Sequence, residues 1–234
     1  MKKLINIILP ALLIFYSVNN AQVNSKNKYN LHVIDTEQNY KELSEKDSNN
    51  VLVDITKYIP SLKLDIRYAG KNNFLKEPVY KYARAFLRLP AAKALNKVQI
   101  ELNKMGFGLK IFDAYRPYSA TVKFYDKVKD TQYVASPWSG SRHNRGCAVD
   151  LTLISLKTGK ELPMPTGFDS FRVNAHSDYL NLPAEIIKNR DLLIGVMAKY
   201  GFDNLPSEWW HYDYKDWNKF DVMDLSFEQL DGMK

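Results

Sequence analysis

Two short segments dominate this chain, because a fold that brings them together is far more constrained than one that does not. One runs Ser141-Arg142-His143-Asn144-Arg145-Gly146-Cys147-Ala148-Val149-Asp150, and the other is Glu208-Trp209-Trp210-His211. Between them they carry two of the four histidines, an aspartate and a separate glutamate. Two imidazoles and one carboxylate converging on a point form the donor set of a zinc centre that keeps a coordination position open. A carboxylate outside that set can take a proton from water. His143, Asp150 and His211 are therefore read as ligands of one Zn2+ ion and Glu208 as the general base. Spacing alone leaves a second reading open, in which these histidines are structural or exposed.

The local pattern suits convergence. Residues 143–146 are polar and turn-prone, and Gly146 has the conformational freedom to fold the loop back over an apolar strand opened by Asp150. Glu208 and His211 are three apart, so on an unbroken strand they would face opposite sides. Pro206 and Ser207 precede them, which places Glu208 in a turn and His211 in a strand ending at Tyr214. Trp209, Trp210, Tyr212 and Tyr214 are expected to wall the site and exclude water, strengthening its electrostatics. Cys147 is the only cysteine, so no internal disulfide forms. It is expected to pack beside the metal rather than act as a nucleophile.

The chain has 234 residues, 45% of them hydrophobic, enough for one domain with a full core. Residues 1–21, with Lys2 and Lys3 ahead of an apolar run and Ala21 as a small residue for cleavage, read as an export signal peptide. An uncleaved anchor is the other reading, although the run is short of the ~20 residues a membrane span needs. Residues 22–50 form a polar N-terminal segment, with a tether at Gln22–Tyr29 and a short surface helix within Thr36–Asn50. Residues 51–234 form the one domain, which carries both segments.

Within that domain the pattern predicts a strand at 62–68, a helix from Pro90 to Met105, a strand at Leu109–Phe112, a helix over Tyr118–Lys127 and another over Pro183–Tyr200. This mixed order implies an α+β fold, a largely antiparallel central sheet with packed helices. The net charge is +7, and +5 without Lys2 and Lys3, with no run of five like charges. That composition gives no clustered basic stripe for nucleic acid. The expected location is periplasmic or extracellular, with no stable membrane insertion after signal cleavage.

Asp113-Ala114-Tyr115-Arg116-Pro117 follows the strand 109–112 and holds an arginine at the edge of a sheet. Arg116 could stabilise an oxyanion, or it could form a structural pair with Asp113 or Asp65.

With these residues assembled, the chain resembles the VanX-type D-alanyl-D-alanine dipeptidases, a branch of the zinc D,D-peptidases whose fold is shared with hedgehog signalling domains. The resemblance spans roughly residues 51–215. Ser-x-His-x-x-Gly-x-Ala-x-Asp matches 141–150, Glu-x-x-His matches 208–211, and Asp-x-Tyr-Arg-Pro matches 113–117. Asp65-Ile66-Arg67-Tyr68-Ala69, Asn73-Phe74 and Pro165-Thr166-Gly167-Phe168-Asp169 are similar to further segments of the dipeptidase branch.

The resemblance implies hydrolysis of D-Ala-D-Ala by a zinc metallopeptidase. His143, Asp150 and His211 would ligate zinc, and Glu208 would serve as base and then acid. Arg116 would stabilise the transition state and Asp113 would orient it. Asp169 would hold the substrate ammonium, and Ser141 would line the pocket. A turn cap before Ser170 is the other reading of Asp169.

Two features depart from the resemblance. Cys147 stands where a small polar residue is usual, and an export signal favours cell-wall turnover or recovery over a cytoplasmic resistance role. Two rival readings remain: a D,D-carboxypeptidase or endopeptidase acting on peptidoglycan stem peptides, and a non-catalytic, zinc-stabilised cell-wall binding module.

Overall fold

The computed structural model describes residues 27–233; the export-signal reading of 1–21 lies outside them. The chain runs through α1 (Glu37–Lys46), β1 (Leu52–Asp54), α2 (Ile55–Tyr58), β2 (Lys63–Leu64) and β3 (Phe86–Arg88). It continues through α3 (Leu89–Lys104), β4 (Phe107–Asp113), α4 (Tyr118–Val128) and β5 (Ala148–Ser155). It ends with α5 (Ala184–Lys199), β6 (Phe202–Asn204), β7 (His211–Tyr214) and α6 (Phe227–Gly232). The five-stranded sheet has the order β2-β4-β5-β7-β6, parallel only at β2–β4, while β1 and β3 form a separate antiparallel pair. The fold is α+β with a mostly antiparallel sheet, as the order of elements implies.

Helix α3 starts with Pro90 in its first turn and stops before Gly106, whose φ of 85° is costly for any residue with a Cβ. Its Ala91, Leu95, Val98 and Leu102 are buried in the main core against the sheet. Met105 caps the helix and is 46% exposed. Helix α5 buries Leu193, Val196 and Met197.

One expectation needs correction. The strand expected at 62–68 shrinks to Lys63–Leu64, because Ile66 leads into a 3-10 turn at Arg67–Ala69. The Tyr68 carbonyl there accepts from the backbone N–H groups of Val79 and Tyr80. As expected, Glu208 lies outside the strand, after the Pro206–Ser207 turn, and the strand begins at His211. Part of the 22–50 segment packs on the domain: Ile34 bridges to Met223, and the Tyr40 hydroxyl accepts from the Leu52 N–H at 2.7 Å.

The sheet register builds the site. Asp150 on β5 lies opposite His211 on β7. On its other side, β4 carries a register shift between Ile111 and Asp113, so Asp113 rather than Phe112 lies opposite Asp150. A bulge of this kind re-aims a side chain. Asp113, Asp150 and His211 therefore form one row across three neighbouring strands.

Candidate metal centre

His143 joins the row from a 3-10 turn, His143–Arg145, that ends at Gly146 with φ 69°. A Cβ at Gly146 would sit 2.6 Å from Leu52 Cδ2, so both the conformation and the space demand glycine. The turn is tied to the β4–α4 connection. Arg116 N–H donates to the His143 carbonyl (3.1 Å), and the Asn144 amide donates to the Arg116 carbonyl (2.9 Å) and to Thr121 Oγ1 (2.9 Å).

The donor atoms converge. His143 Nε2 lies 3.2 Å from His211 Nδ1 and 3.4 Å from Asp150 Oδ1, and His211 Nδ1 lies 2.9 Å from Asp150 Oδ1. All three residues are buried, with donor atoms within 4.8 Å of one another. His143 Nδ1 donates to the Ala114 carbonyl at 2.7 Å, which leaves Nε2 with its lone pair facing inward. Burial would push the Asp150 carboxyl up, but His143 and His211 overrule it and hold it well below the usual carboxylate range. Two imidazoles and an ionised carboxylate aimed at one point fit a divalent metal of the zinc type.

Glu208 sits just after the Pro206–Ser207 turn, and its N–H donates to the Leu205 carbonyl. Among the described residues its carboxylate has no hydrogen-bond or ion-pair partner. Burial, only partly opposed by His211, raises it above the usual carboxylate range. A half-buried, unengaged carboxylate with a raised pKa suits a proton acceptor near neutral pH. The turn is clamped by the Asn204 amide, which donates to the carbonyls of Glu208 (3.0 Å) and His211 (2.9 Å).

A cavity of about 250 Å³ opens over these groups, and Arg116, Ser141 and Asp169 also line it. Arg116 is buried, held by Asp113, and its Nη2 lies 3.9 Å from Asp150 Oδ2. Ser141 Oγ accepts from the Asn144 N–H at 3.2 Å. Asp169 occupies the left-handed region with φ 61°, uncommon for a residue with a side chain. It accepts from the Tyr68 hydroxyl (2.9 Å) and the Phe74 N–H (3.4 Å). Burial pushes its carboxyl up to about 7.

Not every expected neighbour reaches the site. Of the aromatic residues 209, 210, 212 and 214, only Trp210 lines the cavity. Trp209 packs beside Phe112 and Ala175 and donates to Thr166 Oγ1, Tyr212 lies in the main core, and Tyr214 packs edge-on against Phe202. Alternation along β7 explains this, since Tyr212 and Tyr214 fall on the face opposite His211. Cys147 does not pack beside the donor atoms. It is absent from the cavity wall, and its Sγ lies 3.6 Å from the Arg145 carbonyl. Burial pushes that thiol up to about 12, so it is inert as a nucleophile at neutral pH.

Two residues with a structural hold on the site escaped the sequence reading. Asn204 gives no local signal. Asp213 does: it lies two beyond His211 on a strand, and therefore on the same face. Its Oδ1 is 3.0 Å from His211 Nε2.

A mixed sheet that presents a His-Asp-His donor set beside a free glutamate and a buried arginine has the layout of a metallohydrolase. The sequence profile of the family described as D-ala-D-ala dipeptidase matches residues 48–228, and the chain belongs to that family of zinc peptidases. It is 36% identical to a D-alanyl-D-alanine dipeptidase of Escherichia coli K12 over 162 residues, covering 69% of this chain and 83% of the relative. It is 30% identical to one of Enterococcus faecalis over 175 residues, covering 66% of this chain and 87% of the relative. A solved vancomycin-resistance D,D-dipeptidase, VanXYg, in complex with a D-Ala-D-Ala phosphinate analogue, aligns with TM-score 0.38 and 19% identity over 65% of this chain and 61% of that one. A likeness of that size adds nothing to the family assignment.

Proposed function

We propose that this protein hydrolyses the free dipeptide D-Ala-D-Ala to D-alanine. The observation that carries the reading is one small cavity with the metal-donor set and Glu208 on its wall and the half-buried carboxylate of Asp169 facing the same space. The family and the names of its relatives support the same substrate.

One zinc ion held by His143 Nε2, Asp150 Oδ1 and His211 Nδ1 would supply a Lewis acid that polarises a carbonyl and acidifies water. The chain's own groups do the rest. Glu208 takes the proton from the attacking water and returns one to the departing amine. Arg116, fixed by Asp113, faces the oxygen on which negative charge develops. Asp169 receives the substrate ammonium, and a peptide extended at its amino end has no charge to offer there. Ser141 lines the wall beside His143. Export, read from residues 1–21, would place the reaction outside the cytoplasm, in turnover or recovery of cell-wall material.

The test is hydrolysis by zinc-loaded residues 22–234 of D-Ala-D-Ala, its N-acetyl derivative and a stem pentapeptide, with a chelator control. Cleavage of the free dipeptide alone, lost on chelation and restored by zinc, is expected. Faster cleavage of the pentapeptide would overturn the dipeptidase reading in favour of a carboxypeptidase.

A further inference from the structure

His211 stands between two carboxylates. Its Nδ1 lies 2.9 Å from Asp150 Oδ1 and its Nε2 lies 3.0 Å from Asp213 Oδ1. A neutral imidazole, the form that binds a metal, carries one ring proton. The two tautomers are not equivalent here. With the proton on Nδ1, the ring donates to Asp150, and one hydrogen bond masks two of the three donor residues. With the proton on Nε2, the ring donates to Asp213, and Nδ1 keeps its lone pair toward His143 Nε2 and Asp150 Oδ1.

We propose that Asp213, braced by Arg142, is a positioning residue that holds His211 in the Nε2–H tautomer and aims Nδ1 at the metal. The inference rests on the metal reading above and adds to it a determinant of metal affinity outside the donor set. Asp213 is two residues beyond His211 on β7 and points to the same face. It is 9% exposed and does not line the cavity, so it acts through His211 rather than on a substrate.

Its second oxygen is also engaged. Arg142 Nε lies 3.6 Å from Asp213 Oδ2, and the Arg142 guanidinium rests over the Trp217 ring at 4.7 Å. The carboxylate is thus held between an imidazole and a guanidinium that is itself stacked on an indole. Histidine ligands are commonly fixed in this way, by a carboxylate or carbonyl on the nitrogen that does not face the metal. His143 uses the Ala114 carbonyl for the same purpose. The two imidazoles are therefore oriented by different devices, His143 chiefly by a backbone carbonyl and His211 by a side-chain carboxylate.

The experiment measures zinc affinity of the metal-stripped chain by competition with a chromophoric chelator. It also records the side-chain N–H resonance of His211 in the zinc-loaded protein. Asp213→Ala is expected to weaken zinc binding roughly 10- to 100-fold and to abolish a solvent-protected Nε2–H signal. Asp213→Asn, whose amide oxygen still accepts, should recover most of both. Arg142→Ala, a half-exposed change that leaves folding in place should Asp213→Ala not fold, should give a smaller loss in the same direction. Zinc affinity within twofold of wild type in Asp213→Ala, or in Asp213→Asn and Arg142→Ala together with a lost Nε2–H signal, would overturn the proposal. So would weakened affinity with the protected signal retained. These readouts need no substrate, so they hold or fail independently of which peptide is cleaved.

Discussion

Arg116 reaches a single oxygen of Asp113, Oδ2, through both Nε at 3.0 Å and Nη2 at 2.9 Å. Asp113 also accepts from the Tyr80 hydroxyl at 3.1 Å. The guanidinium lies 4.8 Å from the Phe124 ring centroid and 5.3 Å from that of Tyr68. The β4 bulge that turns Asp113 toward Asp150 therefore also fixes the arginine.

Arg116→Lys keeps the charge but loses the planar fork and the stacking. Loss of one fixed donor to a developing oxyanion costs roughly 10²- to 10³-fold in kcat. That loss, with zinc affinity unchanged, is the expected result in dipeptide assays that follow D-alanine release. Arg116→Ala should in addition lower thermal stability, because it strands Asp113 as a buried charge, a defect of about 3–5 kcal/mol. Near-wild-type kcat in Arg116→Lys would reduce this arginine to a structural role.

Glu208→Gln preserves shape and removes the proton acceptor. General acid–base catalysis contributes roughly 10²- to 10⁴-fold, so kcat should fall by that factor. Zinc binding should stay intact, because Glu208 is outside the donor set. Melting temperature should hold or rise, since the substitution removes a half-buried carboxylate that has no partner among the described residues. A variant that loses zinc along with activity would contradict this separation of roles.

Much of this arrangement was legible because it depends on local pattern. Gly146 read as a turn and Glu208 as off the pleat, since period-two alternation leaves a strand no other way to use residues three apart. Helices α3 and α5 were legible from Pro, Gly and an apolar stripe. The strand at 62–68 was misjudged because alternation does not reveal that an edge strand stops where Ile66 enters a tight turn. Cys147 was misjudged because proximity in sequence to His143 and Asp150 says nothing about which face it takes. The bulge at Phe112 and the Asn204 clamp depend on the register between strands distant in sequence, which no single segment encodes.

The Asn204 clamp gives a third prediction. One side-chain amide holds the carbonyls of both Glu208 and His211, and the Leu205 N–H also donates to the latter. Asn204→Ala leaves the Glu208 carbonyl without that donor, a defect of about 1–3 kcal/mol. Stability should drop by that amount in urea denaturation. kcat should fall more than KM changes, because the turn that relates base to ligand has loosened. An unchanged kcat would show that the turn holds itself.

The last prediction concerns pH. Burial pushes Asp169 up to about 7, against the pull of the Tyr68 hydroxyl, with Asp150 adding to the rise. Only ionised Asp169 attracts an ammonium, so kcat/KM for the free dipeptide should decline as pH falls below about 7. kcat at saturation should shift less, because a bound ammonium draws the carboxyl down. Asp169→Asn should raise KM and remove this acid limb.

Stability follows the same group. The folded pKa lies above the unfolded value of about 3.9, so the native state holds the proton more tightly. Asp169 therefore contributes stability that is fully present below about pH 4 and is lost as pH rises through about 7. Asp169→Asn does not titrate. The melting temperature of the variant minus that of the wild type should therefore increase between pH 5 and pH 8, values chosen to lie on either side of the Asp169 pKa of about 7. A flat difference, together with an acid limb that survives in Asp169→Asn, would assign the limb to another group and remove Asp169 from ammonium recognition.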